Sequence, residues 1–389
     1  MSKPIAFGLI IFFLLIIVGG LIWLLFFSGE GGAPGIIDRF FPTAGERDRP
    51  IPVPGSEGPD LTSKVDDETA RRLIQISAGR ISGFHPVASG VRYIERITGH
   101  VFESSPDGKN QKRISNITIP GIFDSVWAFD GSGAVINYRE EGSARMASVK
   151  FVGTTTEGVL IPQSIKSIDY APDRRRLTYI ADVNGTLAVI AADPDNTKQS
   201  EVTRLPFADF EISWPAPKLI SLITRPSGTT DGYLFSYNID TKLFSKLLGG
   251  ELGLEGFFAP SGKKVLASVF DQASRRPNLI VYDGATKNKE DLQTNTLARK
   301  CAWLAKDENI IYCAIPASIQ PAIYPDGWYK GEVEFNDALW SIDITTLQKE
   351  NLVNLPDIDI DKISVSSDGA YIYFWDKKEG ALWSYRLTK

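Results

Sequence analysis

The sequence predicts an all-β fold, a seven-bladed β-propeller whose N-terminal strand closes the last blade, preceded by a single transmembrane α-helix. Three observations carry this: a strand-like phrase that recurs seven times, an independent set of turns at the same spacing, and a seventh unit one strand short. The phrase is clearest in Ala338-Leu339-Trp340-Ser341-Ile342-Asp343, Tyr233-Leu234-Phe235-Ser236-Tyr237-Asn238 and Ala381-Leu382-Trp383-Ser384-Tyr385-Arg386. Looser copies begin at Asn278, Thr186, Arg145 and His100. The second residues of the copies are separated by 45, 41, 47, 45, 60 and 43 residues. A period in the forties built from strand-like units is the mark of a propeller.

The turns repeat independently. Pro86, Phe129, Pro172, Pro215, Pro260, Ala305 and Ser367 mark them, with steps of 43, 43, 43, 45, 45 and 62. Pro presets φ and Gly supplies a positive φ, so these are hairpin tips between an inner strand a and its neighbour b. Each unit then runs strand a, turn, strand b, loop, strand c (the recurring phrase), turn, strand d. The third shows all four: Ser167–Tyr170, 177–181, 186–191 and 201–204, with Asn184-Gly185 between apolar runs as a strong hairpin signal. A β-sandwich with evenly spaced turns would not repeat one phrase seven times.

The last unit lacks strand d, and an unassigned strand at 72–77 stands before the first unit. Pairing the two would join the first and last blades and remove an open edge. The propeller is therefore placed at residues 67–389.

A Pro-Asp-Gly-like turn, an apolar strand, Leu339-Trp340-Ser341-Ile342-Asp343, then Thr and a final apolar strand resembles the WD40-like repeat of TolB-type bacterial propellers. The resemblance covers roughly residues 80–389. It departs from eukaryotic WD40 repeats in lacking their Gly-His and Trp-Asp pairs at the usual places. It implies an extracytoplasmic scaffold or binding platform, an analogy of fold and not a site argument.

Residues 5–27, from Ile5 through Phe27, carry no charge. At about 1.5 Å per residue they would cross a hydrocarbon core of about 30 Å. The stretch exceeds the apolar core of a secretory signal, no small-residue cleavage pattern follows, and Trp23 sits where interfacial aromatics belong. It reads as an uncleaved signal anchor, with a cleaved signal peptide as the alternative. Lys3 precedes the span and Glu30 and Asp38 follow it, so residues 1–4 are expected in the cytoplasm and the propeller outside. Residues 28–66 are rich in Gly, Pro and charge and read as a linker. Its one apolar island, Ile36 to Pro42, reads as a stretch resting near headgroups or a short docking segment.

The net charge is −5 and no basic stripe occurs, which disfavours nucleic acid as a partner. Cys301 and Cys313 flank the turn of the sixth unit, where residue 301 faces 312 or 313. They form either a disulfide, which persists outside the cytoplasm, or a pair of small buried residues.

No catalytic constellation, cofactor site or metal site is expected. The two histidines, His85 and His100, read as adjacent strands of one blade without metal-ligand spacing. Gly256 to Lys263 departs from a phosphate loop in spacing and in its strand–turn–strand context. Asp357, Asp359 and Asp361 alternate with Ile as in a strand entering a core, and lack the glycine of a calcium loop.

The sixth unit alone is longer, with its excess at about 317–335, between strands b and c. Loops there and at the d–a junctions emerge on one face, so the insertion is expected to overhang the channel mouth. Tyr324, Trp328 and Tyr329, with Asp326 and Lys330 as polar handles, have the makeup of a recognition surface. A loop folded back as a plug is the alternative. Two functions follow: a non-enzymatic, membrane-tethered scaffold docking an envelope protein, or a module binding a small ligand or glycan beneath the insertion.

Overall fold

The computed structural model describes residues 71–387, apart from 163, 173–175 and 207–208. The segments read from sequence as tail, membrane anchor and linker lie outside the described residues. Among the described residues no helix is long and apolar enough to cross a membrane. Seven four-stranded antiparallel sheets follow one another along the chain.

The first six blades take their strands in sequence order. Their inner strands are Ile81–Val87, Ile122–Trp127, Ser167–Tyr170, Phe210–Ala216, Glu255–Phe258 and Cys301–Trp303. The seventh comprises Ile360–Val365, Tyr371–Asp376 and Leu382–Arg386, with Leu73–Gln75 as its outer strand. Leu73 pairs with Tyr385 and Gln75 with Trp383, which is the closure expected from the sequence. Arg72 Nε adds a bond to the Arg386 carbonyl at 2.9 Å, and Leu382 N donates to Ser77 Oγ at the same distance.

Middle strands are buried on both faces, so their apolar residues come in runs instead of alternating. Ile372, Tyr373 and Phe374 are consecutive and inaccessible. The buried clusters straddle successive blades: Ile363 and Phe374 of blade 7 pack with Ala314 and Leu339 of blade 6. Ile212 and Leu222 of blade 4 likewise pack with Ile180 and Val189 of blade 3. No blade can bury its faces alone, so stability is shared around the ring.

In blades 4, 5 and 6 the polar residue that ends the recurring phrase caps the following turn. Asp343 accepts from the backbone N–H groups of Thr345 and Thr346 at 2.8 and 3.0 Å, and Asp283 does the same for Ala285 and Thr286. Asn238 serves Asp240 and Thr241. These bonds, with the Thr345 hydroxyl, hold the Asp343 carboxyl down at about 2. At Asn184-Gly185 both residues have positive φ, 55° and 80°, as a type I′ hairpin requires.

Cys301 and Cys313 face each other in register, 4.1 Å apart at Cα, and are bridged. Closing a loop of sequence separation 12 constrains the unfolded chain by about 2–3 kcal/mol. Replacing both cysteines by alanine is expected to lower the unfolding free energy by that amount and with it the urea midpoint. Equal midpoints for the two proteins would show that the bridge contributes nothing to stability. His85 lies on strand a of blade 1 and His100 just before strand c, so strand b separates them and they are not on adjacent strands.

Candidate binding face and channel mouth

The insertion joins Ile310–Pro316 to Asp337–Asp343 and holds a one-turn helix, Asp326–Tyr329. Its aromatics point inward. Tyr324 and Trp328 are fully buried, in a cluster with Leu297, Ala322, Val333 and Phe335. Tyr324 stacks on Phe335 at 5.8 Å and Trp328 on the same ring at 6.3 Å. These two residues, expected as recognition surface, are the core of a plug and offer nothing to a partner. The physical reason is a buried polar anchor beneath them.

That anchor joins three elements. Lys300 Nζ lies 2.6 Å from Asp359 and 2.7 Å from Asp337, and none of the three side chains reaches water. The Trp328 indole N–H donates to Asp359 at 2.9 Å, and Phe335 N donates to the same carboxylate at 3.1 Å. Ile360 N donates to Asp337 at 2.7 Å. Lys300 and Lys377 also stand over the Trp328 ring, 5.0 and 4.0 Å from its centre. Burial pushes the Asp337 carboxyl up to about 6, against the pull of Lys300. Of the acidic run, Asp359 belongs to this anchor and Asp361 is paired with Arg299 at 2.8 Å.

Asp326 is spent holding the insertion across the face. It accepts from Gly228 N at 2.6 Å and from Ser227 Oγ at 3.3 Å, both in the b–c loop of blade 4. The approach there is backbone to backbone. A Cβ on Gly228 would stand 2.5 Å from the Tyr324 carbonyl oxygen, and one on Gly253 2.7 Å from it. The insertion of blade 6 therefore rests on blades 4 and 5. Tyr329 and Lys330 remain accessible, Tyr329 with 39 % of its surface exposed. Lys330 pairs loosely with Glu332 at 4.0 Å on the surface.

Tyr329 does reach the channel. Its hydroxyl donates to Glu255 on the inner strand of blade 5, and the Arg299 guanidinium lies 5.2 Å from its ring centre. Beneath it, every blade carries a titratable side chain on or just before its inner strand: His85, Asp124, Asp169, Glu211, Glu255, Arg299, and Asp361 with Lys362. They act on one another across the ring. Lys362 of blade 7 interacts with Asp124 and Asp169 of blades 2 and 3, and Arg299 of blade 6 with Glu211 of blade 4. Lys362 is accessible to water, and the protein packed around it lowers its pKa against the pull of those carboxylates.

Burial likewise raises Glu211 and Glu255, with Arg299 opposing in both. It works against Arg299 too, but Asp361, Tyr329 and Glu255 together hold that guanidinium above the ordinary arginine value. Asp169 is pushed to about 6 by burial, although it accepts from Trp214 N at 2.8 Å. Sequence reading passed over this ring because isolated charges near strand starts look like solvated ends. Its signal was the spacing: from His85 to Asp361 the steps are 39, 45, 42, 44, 44 and 62, stretched only at the insertion, as the turns are.

His85 gives a pH test. Burial lowers its imidazole to about 4, opposed by the Phe129 carbonyl at 2.9 Å. The unfolded chain then binds the extra proton first, so stability is complete above about 6.5 and falls as pH drops toward 4. The loss is on the order of 1–2 kcal/mol once the partly wet ring is allowed for. His85→Gln is expected to remove that part of the pH slope, and an NMR midpoint near 6.5 would refute it.

No family model matches the chain, and no curated protein matches it by sequence. Solved structures do match it. TolB from Acinetobacter baumannii aligns at 14% identity and a TM-score of 0.47, over 77% of this chain and 66% of that one. An oligogalacturonate lyase solved with manganese gives 11% and 0.57, over 83% and 95%. The tricorn protease gives 10% and 0.53, over 81% of this chain and 34% of that one.

The likeness is one of fold. This chain spans about two thirds of TolB and a third of the tricorn protease, and their partners and reactions remain theirs. Among the described residues no group of three or more His, Cys, Asp or Glu is placed to hold a metal ion.

Proposed function

We infer that this protein is a non-enzymatic, membrane-anchored propeller that docks another envelope protein on the face carrying the insertion. The observation that supports it most is the locked insertion itself. Anchored under Trp328 and tied to blade 4 through Asp326, it is a rigid relief beside a charged mouth, and rigid relief lowers the entropic cost of docking. Exposed apolar side chains lie on the same face: Ile323 and Tyr329 on the insertion, Ile97 in the b–c loop of blade 1, and Phe123 at the start of blade 2. Apolar anchors around a charged centre suit a protein partner better than a small solute.

The test is photo-cross-linking in membranes with a photoreactive residue at position 323 or 329, and at Leu243 in a c–d turn of the opposite face as control. One discrete adduct from 323 and 329, absent at 243 and lost on Tyr329→Glu, is the expected result. Adducts equal at all three positions, or none, would sink the docking reading. The charged axis favours a second reading, a small ligand held in the mouth. Saturable protection of Glu255 from carbodiimide labelling by a soluble ligand, with no cross-linked partner, would select it.

A further inference from the structure

A separate cavity of about 460 Å³ lies between blades 5 and 6, at the root of the insertion and away from the axis. That size suits a small ligand. Its lining includes Arg276, Lys349, Gln293, Asn295, Ser318 and Trp340, and no carboxylate. In a chain of net charge −5, two cations in a cavity with no carboxylate in its lining are unusual company, although Asp291 nearby acts on Lys349.

The nearby acids form no ion pair with either cation among the described residues. Asp271, opposite Arg276 in the strand register, accepts from the backbone N–H groups of Ala273 and Ser274 at 3.0 and 3.2 Å. Asp291 accepts from Gln293 N at 2.6 Å. Arg276 therefore has no hydrogen-bond or ion-pair partner among the described residues, while Lys349 Nζ donates to the Gln293 carbonyl at 2.6 Å and is thereby fixed in place. Trp340 is half-buried, and no other ring or cation covers it among the described residues. The cavity presents a fork of free donors, a second positioned cation and a flat apolar wall.

We propose that this cavity binds a small organic anion, a carboxylate carried on a ring, with Arg276 and Lys349 holding the carboxylate and Trp340 carrying the ring. An arginine fork matches the two oxygens of a carboxylate, and a ring face packs on an indole without needing a matching donor pattern. The cavity opens among the b–c and d–a loops of the insertion face, but the proposal needs neither a docked partner nor the axial ring.

The test uses the full-length chain labelled with 5-fluorotryptophan and observed by fluorine NMR, with the Trp340 resonance assigned from Trp340→Phe. Glucuronate and benzoate are titrated separately, with neutral glucose as control. A saturable shift of the Trp340 resonance by either anion, and none by glucose, is expected; which anion acts identifies the ring as saccharide or aromatic. Arg276→Gln and Lys349→Gln should each weaken that binding about tenfold or more, as loss of a charge-assisted bond does. Both positions are exposed, and the other tryptophan resonances report that the fold is kept. No saturable shift with either anion at tens of millimolar, an equal shift with glucose, or undiminished binding by Arg276→Gln would overturn the proposal.

Discussion

Lys300→Met is expected to destabilise the protein by about 3–5 kcal/mol, a large part of the 5–15 kcal/mol that holds a typical domain together. The substitution fits the space but leaves Asp337 and Asp359 buried without their shared ion-pair partner, with only Lys377 acting on Asp359 from beyond. The cost should depend on pH in a definite sense. Asp337 is already raised to about 6, chiefly by burial, and loses the cation that opposes the rise. A carboxyl with a raised folded pKa is stabilising below its unfolded value of about 4 and loses that contribution as pH climbs through the folded value. The variant should therefore be closest to wild type near pH 5 and furthest from it at pH 8, measured by urea unfolding. Neutralising all three groups in Lys300→Met/Asp337→Asn/Asp359→Asn should recover part of the loss, because a buried ion cluster costs desolvation that its neutral replacement avoids. A loss below about 1 kcal/mol for Lys300→Met at pH 8 would show that the cluster is not ionised.

The second large effect lies at the closure. Leu73 packs with the blade 6–7 cluster and Ile76 with the blade 7–1 cluster, each with 4 % of its surface exposed. Leu73→Ala and Ile76→Ala should each cost about 2–4 kcal/mol through lost burial and the cavity left behind. Their sum matters more than either. With the strand released, the Leu382–Arg386 edge is unpaired and available to another chain. The double variant is expected to unfold at lower urea and to form oligomers seen by light scattering. A monodisperse double variant would mean that closure does not protect the edge.

Much of this architecture was legible because propeller blades repeat their chemistry. The terminal Asp or Asn of the phrase recurs in blades 4, 5 and 6 because it accepts from two backbone N–H groups of the c–d turn, as Asn238, Asp283 and Asp343 show. The missing seventh outer strand pointed to residues 72–77, and the register of one hairpin to Cys301 and Cys313. The insertion was legible in place but not in orientation. Tyr324 and Trp328 have the composition of a recognition loop, yet whether an aromatic faces in or out depends on what lies beneath it. Here that is a lysine and an aspartate 59 residues apart, a pairing that no local pattern reveals. The axial ring carried a periodic signal, but its residues are chemically unlike, His, Asp, Glu, Arg and Lys, so a search for similar residues passes over them.

The strand that completes the last blade is made long before its partner. Arg72 bonds to a residue 314 positions further along the chain. At about 5–20 residues per second, some 15–60 seconds of synthesis separate the two. Through that interval the Leu73–Gln75 strand is presented as a bare β-edge whose pairing strand does not yet exist. During biogenesis the molecule is thus an unlatched ring, most open to capture by chaperones, or by a neighbouring nascent copy, just before its final strand emerges.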